Sequence, residues 1–114
     1  MKEKIITHVS ELLPELVEDI KTICSMDSRQ DTATPEDPYG KRVTDCLNQA
    51  LDIARRLGFE TENVGNQVGI AACGPDTEDY IACVGHLDVV DLNGVWKTDP
   101  FVCTEKDGTL FARV

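Results

Sequence analysis

The sequence has no uninterrupted apolar segment long enough to cross a membrane or to form the core of a secretory signal. Acidic residues interrupt the most apolar part of the N-terminal region, at Glu11, Glu15, Glu18 and Asp19. Both kinds of segment need a run of apolar residues without such charges. Their absence predicts a cytoplasmic protein that does not enter a membrane.

Basic residues are scarce. The chain has 11 lysines and arginines against 21 aspartates and glutamates, which gives a formal net charge of −10. Excess negative charge repels the phosphate groups of nucleic acids and of anionic lipids. The charge therefore argues against nucleic acid or an anionic membrane surface as a partner. At 114 residues, the chain is long enough for one domain at most.

The sequence also lacks the C-x-x-C spacing of many zinc and redox sites. Its cysteines are odd in number, so they do not predict a disulfide framework. We interpret them as small buried side chains. The alternative is a redox or mononuclear metal protein that uses them with His86, although Cys83 would lie on the opposite strand face from that histidine. The five cysteines are Cys24, Cys46, Cys73, Cys83 and Cys103.

Two amphipathic helices are predicted in the first half of the chain. Apolar residues recur at helical spacing from Lys2 to Cys24, where Pro14 predicts either a kink or two helices. Ser25 to Asp37 is polar and predicts a surface connection. Asp37 with Pro38 resembles the start of the second helix, and Gly58 is typical of a helix end. The expected buried stripe of the second helix comprises Val43, Cys46, Leu47, Ala50, Ile53, Ala54 and Leu57.

Short strands are predicted in the second half. Phe59–Val64 and Gln67–Cys73 are expected to pair through a tight turn near Gly65-Asn66, and Phe101–Thr104 and Thr109–Ala112 through an Asp-Gly turn. Tyr80 to Gly85 is apolar and is typical of a strand buried on both faces. Helices followed by strands predict an α/β fold in which two N-terminal helices pack on a mixed β-sheet.

His86 and Asp88 follow that apolar segment. Side chains alternate along a strand, so the two residues would share one face and point together out of an apolar wall. An imidazole and a carboxylate are both groups that bind metal ions. The pair is a candidate metal site, although His-x-Asp alone also occurs by chance.

The surrounding motifs make the pair more specific. Gly85-His-Leu-Asp-Val-Val90 is followed by Gly94-x-Trp96, Asp99-Pro-Phe101 and Asp107-Gly-x-Leu-Phe111. This order resembles the first metal-binding segment of the di-zinc peptidase family that includes glutamate carboxypeptidase, acetylornithine deacetylase, succinyl-diaminopimelate desuccinylase and the Xaa-His dipeptidases. The dipeptidase branch fits best, because Asp37-Pro-Tyr-Gly40 and the glycines that follow the second helix also occur in its order. The resemblance covers nearly the whole chain.

The resemblance implies metal-dependent hydrolysis of the amide bond of a dipeptide or an N-acyl amino acid. It implies that His86 is a ligand of one of two zinc ions, and that Asp88 is a catalytic residue that holds the other imidazole nitrogen. The remaining ligands, the general base and the lid domain of the family have no counterpart here. Residues 1–114 are therefore expected to be an N-terminal, partial catalytic domain that is inactive alone.

Three positions depart from the family pattern. Asp91 replaces a proline, and Ala112 and Val114 replace the glycines on either side of Arg113. These departures leave open a degraded gene product. A non-catalytic interaction module is a further alternative, in which Trp96 and Phe101 contact a partner. The chain is also expected to expose an apolar sheet edge or face and to self-associate.

Overall fold

A computed structural model describes residues 1–113. The chain divides into two compact units, one formed by Met26–Gly94 and the other by Met1–Ser25 with the described part of Val95–Val114. Two helices and four short strands follow one another along the chain. They are α1 (Lys2–Cys24), α2 (Lys41–Arg56), β1 (Glu60–Val64), β2 (Val68–Ala72), β3 (Thr104–Lys106) and β4 (Thr109–Phe111).

In the unit Met26–Gly94, α2 packs on the hairpin of β1 and β2. Glycine in β2 allows the close approach, because a Cβ atom at Gly69 would lie 2.7 Å from Cδ1 of Leu47 and 3.0 Å from Cδ2 of Leu51. Both leucines are buried, as is Cys46. The small apolar core of the described chain therefore lies on this face of α2.

The second helix ends where the sequence predicts but begins later. Gly58 has a φ of 92°, and its amide donates to the Arg55 carbonyl, as expected of a helix terminator. The predicted start at Asp37 is wrong, because the Gly40 amide donates to the Asp37 carbonyl over 2.9 Å and closes a turn. Gly40 has a φ of 93°, which no helical residue adopts, so α2 begins after it. Of the predicted stripe, Cys46 and Leu47 are buried and Leu57 is exposed.

Both predicted hairpins are confirmed. Three strands are shorter than predicted, whereas β3 begins at Thr104, where the predicted strand Phe101–Thr104 was expected to end. β1 pairs with β2 and β3 pairs with β4, each antiparallel. The first turn places Gly65 and Asn66 at φ values of 60° and 56°, and the second places Asp107 and Gly108 at 52° and 72°. Two successive residues with positive φ are characteristic of the tight turns that match strand twist. Local turn chemistry therefore fixes both pairings.

The mixed sheet is wrong for the part of the chain that the structure describes. Its strands form two separate two-stranded antiparallel sheets. Tyr80–Gly85 is not a strand, and the side chains of Ile81 and Val84 are each 97% exposed. A strand that is buried on both faces needs neighbouring strands and a layer on each side. The apolar face of α2 already packs on β1 and β2, so it does not cover this segment.

The first helix is continuous, so the two-helix alternative is wrong. α1 passes through Pro14. Near the end of α1, Lys21 pairs with Glu105 over 2.9 Å and with Glu18 over 3.0 Å. Both carboxylates raise the pKa of Lys21, and Glu105 has the larger effect. No residue of α1 is buried. Its apolar residues form an exposed surface, here named the α1 stripe, which comprises Ile5, Ile6, Val9, Leu12, Leu13, Leu16 and Ile20.

No helix within residues 1–113 is both long and apolar enough to pass through a membrane. The exposed apolar surface that the sequence predicts is present, but it lies on the α1 stripe as well as on Tyr80–Val84. Val64, Val68 and Ile70 of the β1–β2 sheet are exposed as well, so part of this surface lies on a sheet, as predicted.

Candidate functional site

The imidazole of His86 is held by Asp88. Nδ1 of His86 lies 2.9 Å from the backbone carbonyl oxygen of Asp88 and 3.5 Å from its carboxylate Oδ1. A carbonyl oxygen can only accept a hydrogen bond, so Nδ1 must be the donor. In the neutral imidazole the free lone pair is then on Nε2. The side chain of His86 is 79% exposed.

The sequence predicts that His86 and Asp88 lie close together, but for a different reason. It places the two side chains on one face of a strand, whereas His86 and Asp88 lie in a segment without regular secondary structure. The shorter contact is made by the backbone carbonyl and not by the predicted carboxylate. The structure thus brings the two predicted site residues together without the strand that was expected to do so.

Ser28 fixes the residue between them. Its hydroxyl donates to the carbonyl oxygen of Leu87 over 2.7 Å, and its own carbonyl accepts from the amide of Val89 over 3.3 Å. Arg29 and Val89 form an isolated parallel bridge beside these contacts. Ser28 is buried, with 3% of its surface exposed, although the sequence predicts a surface connection there. Sequence reasoning missed this anchor, since no local pattern links residues so far apart in the chain.

An ion-pair cluster supports the anchor. Arg29 donates to both carboxylate oxygens of Asp27, over 2.8 and 2.7 Å, and Arg42 donates to Oδ2 over 2.7 Å. Nη1 of Arg29 also lies 3.8 Å from the carboxylate of Asp91, the residue that replaces the proline of the family pattern. The hydrogen bonds from Arg29, with the nearby charge of Arg42, hold the pKa of Asp27 well below its usual range.

Asp27 should therefore make stability depend on pH. Its folded pKa is depressed, so its contribution is present above the unfolded pKa of about 4 and is lost as the pH falls below that value. Asp27→Asn should remove about 1 kcal/mol at neutral pH, and the difference from the parent should shrink in acid. Urea unfolding across the acid range measures both effects.

The matched control is Asp52→Asn, which breaks an exposed pair with Arg55 on α2. Exposed pairs contribute little, so this variant should stay close to the parent at every pH. Equal losses in the two variants would show that the Asp27 cluster contributes no more than a surface ion pair.

The remaining candidate residues belong to the other compact unit, in the described part of Val95–Val114. The Asp99 carboxylate accepts from the amide of Phe101 over 2.9 Å, and the Asp99 carbonyl accepts from the amide of Val102 over 3.2 Å. The guanidinium of Arg113 lies 5.7 Å from the centre of the Phe101 ring. Asp-Pro-Phe thus forms a closed turn. Trp96 is partly exposed, Ala112 adjoins the end of β4, and the departure at Val114 lies outside the described residues.

The cysteines differ in burial, and none of the five forms a disulfide. The prediction of burial is confirmed for Cys46 and is wrong for Cys73 and Cys83, which are exposed. Burial, with the proximity of Cys103, raises the pKa of the Cys24 thiol, which makes that thiol less reactive at neutral pH.

Residues 1–113 do not assemble a complete metal site. No group of three or more histidine, cysteine, aspartate or glutamate side chains among them could hold a metal ion. Zinc sites use three or four protein ligands. Nε2 of His86 fits the role of one ligand, and the other ligands are not present in the described chain.

Comparison with curated proteins gives relatives over most of the chain, whereas no family model matches it. The chain is 33% identical over 101 residues to Beta-Ala-Xaa dipeptidase of Lactobacillus delbrueckii subsp. lactis. The matched residues make up 86% of this chain and 21% of that protein. It is 32% identical over 99 residues to succinyl-diaminopimelate desuccinylase of Legionella pneumophila. This match includes 83% of this chain and 25% of that protein. The chain thus spans only 21% to 25% of the length of these two proteins.

Proposed function

We propose that this chain, which is similar over most of its length to a bacterial dipeptidase and to a succinyl-diaminopimelate desuccinylase, is a partial catalytic domain that supplies one metal ligand. The reaction class is hydrolysis of the amide bond of a dipeptide or an N-acyl amino acid. The supporting observation is the contact of His86 Nδ1 with the Asp88 carbonyl, which leaves the lone pair of the neutral ring on Nε2 in a side chain that is 79% exposed. A cytoplasmic location is part of the proposal.

In this proposal His86 binds zinc through Nε2, and Asp88 orients the ring. When bound, zinc polarises a carbonyl group and lowers the pKa of a bound water to about 7. Ser28 fixes Leu87 between the two residues, and its neighbour Arg29 is fixed by Asp27. These residues position the imidazole and take no direct part in chemistry. Since residues 1–113 provide no set of three ligands, no hydrolytic step is assigned to the chain alone.

The isolated chain should therefore not hydrolyse dipeptides. A single imidazole leaves a zinc ion mostly hydrated, so metal affinity should be weak. Turnover of a β-alanyl-histidine type dipeptide by the purified chain, abolished by a chelator, would contradict this expectation. It would require a metal centre assembled between chains.

Weak zinc binding should nevertheless be local. In an NMR titration with zinc, the ring signals of His86 should move more than those of His8, because the hydrogen bond from Nδ1 to the Asp88 carbonyl keeps the free lone pair of the neutral ring on Nε2. His8 has only an exposed glutamate 3.7 Å away, on its own helix. His86→Ala should remove the main response, and the matched His8→Ala should preserve it. Equal movement of both rings in the parent chain would count against His86 as the ligand.

A non-catalytic interaction module is the second candidate function. It is favoured by the exposed apolar surface of the α1 stripe and of Tyr80–Val84. A degraded gene product would keep the same contact between His86 and Asp88. The zinc titration therefore separates the interaction module from the first proposal, since that module does not predict a response centred on His86.

A further inference from the structure

The α1 stripe carries a pattern that goes beyond exposure. Ile5, Val9, Leu12 and Leu16 alternate at spacings of four and three residues, which is the heptad spacing of helices that pack in pairs. Each of these side chains is at least 41% exposed. They are the central line of the stripe, and Ile6 and Leu13 flank them. The next residues of this heptad pattern are Lys2, three residues before Ile5, and Asp19, three residues after Leu16.

One antiparallel register satisfies the whole line. In antiparallel pairs, residues of the central line face each other in layers, and the register that places Val9 opposite Leu12 of a second copy also places Ile5 opposite Leu16. The next layer outward then places Lys2 opposite Asp19. Apolar residues therefore meet apolar residues in the inner layers, and opposite charges meet at both ends.

The flanks agree with this register. The nearest flanking pairs are Ile6 with Leu13 on one side and His8 with Glu15 on the other. A parallel pair would instead bring Lys2 to Lys2 and Asp19 to Asp19, and like charges across an interface are unfavourable. The charge pattern of α1 thus selects the antiparallel arrangement.

We propose that the α1 stripe is a self-association surface and that a second copy of this chain binds it with the two helices antiparallel. A twofold axis would relate the copies, so each copy contributes the same residues. A membrane is the less suitable occupant, because Glu11, Glu15 and Glu18 make the helix acidic and would repel anionic headgroups. The proposal does not depend on the zinc site.

The first test compares Val9→Asp with Thr7→Asp in sedimentation equilibrium of the full chain. Both variants add one charge to α1 at exposed positions, but only Val9 lies in the stripe. Val9→Asp should weaken dimerisation by about tenfold or more, whereas Thr7→Asp should leave it nearly unchanged. Circular dichroism verifies that both variants keep their helix content. A monomeric parent chain up to about 100 μM, or equal effects of the two variants, would overturn the proposal.

The second test determines orientation. Lys2→Asp and Asp19→Lys should each weaken the dimer by about two- to fivefold, and the double variant should recover most of the loss. In a parallel dimer each single change would replace one like-charge contact by another and have little effect, which would contradict the antiparallel register. Binding of the parent chain to phosphatidylserine vesicles without a dimer in solution would identify a membrane as the occupant and would also overturn the proposal.

Discussion

Replacing Gly40 with alanine should destabilise the unit Met26–Gly94 by about 3 kcal/mol or more. Gly40 has a φ of 93°, which is unfavourable for any residue with a side chain. A Cβ atom there would also lie 2.5 Å from Cβ of Asp31 and 2.8 Å from its Cα and carbonyl carbon. The backbone of Asp31 cannot easily move away, because its amide donates to the Tyr39 carbonyl over 3.0 Å.

Gly58→Ala is the matched control. Gly58 has a φ of 92°, but a Cβ atom there would have no neighbour within 4 Å. Gly58→Ala should therefore reduce the stability only through the unfavourable φ value, by about 1 kcal/mol. Urea unfolding of the two variants separates backbone strain from steric collision. Losses of the same size would show that Gly40 is required only for its φ value.

Leu51→Ala should cost about 2 to 4 kcal/mol, because it leaves a cavity in the small core between α2 and the β1–β2 hairpin. Leu51 is 7% exposed, and its side chain faces Gly69 of β2. With so few buried apolar residues in the described chain, neighbouring side chains cannot refill the space. Thermal or urea unfolding measures the loss.

The comparison for this prediction is Leu57→Ala at the end of the same helix. Leu57 is 50% exposed, so its truncation should cost well under about 1 kcal/mol. A similar cost at both positions would mean that burial against the hairpin does not stabilise α2.

The features that the sequence predicts correctly are local. Gly58 ends α2, and the turns at Gly65-Asn66 and Asp107-Gly108 close their hairpins, because each requires only a residue that tolerates positive φ. The buried strand that the sequence predicts at Tyr80–Gly85 does not form. The apolar composition of the segment indicates that it could be buried, but not which neighbouring elements would cover it. The start of α2 was also misplaced, since Asp37 closes a turn with Gly40 and does not cap the helix.

The candidate site was predictable only in part. Only Leu87 separates His86 from Asp88 in the sequence, so their proximity follows from the motif. The contribution of Ser28 does not, because it depends on a hydrogen bond to Leu87, 59 residues away. The cluster around Asp27 is equally invisible in a segment whose polar composition predicts only a surface connection.

The most direct test of the account is the position of the proton on the neutral imidazole of His86. Long-range proton–nitrogen NMR at a pH of about 8.5, where an ordinary imidazole is neutral, distinguishes a protonated ring nitrogen from one with a free lone pair. For His86 we expect a protonated Nδ1 and an unprotonated Nε2, with His8 as the internal comparison, and we expect zinc to perturb the Nε2 signal. A proton on Nε2 of His86, unchanged by zinc, would contradict the role of His86 as a metal ligand.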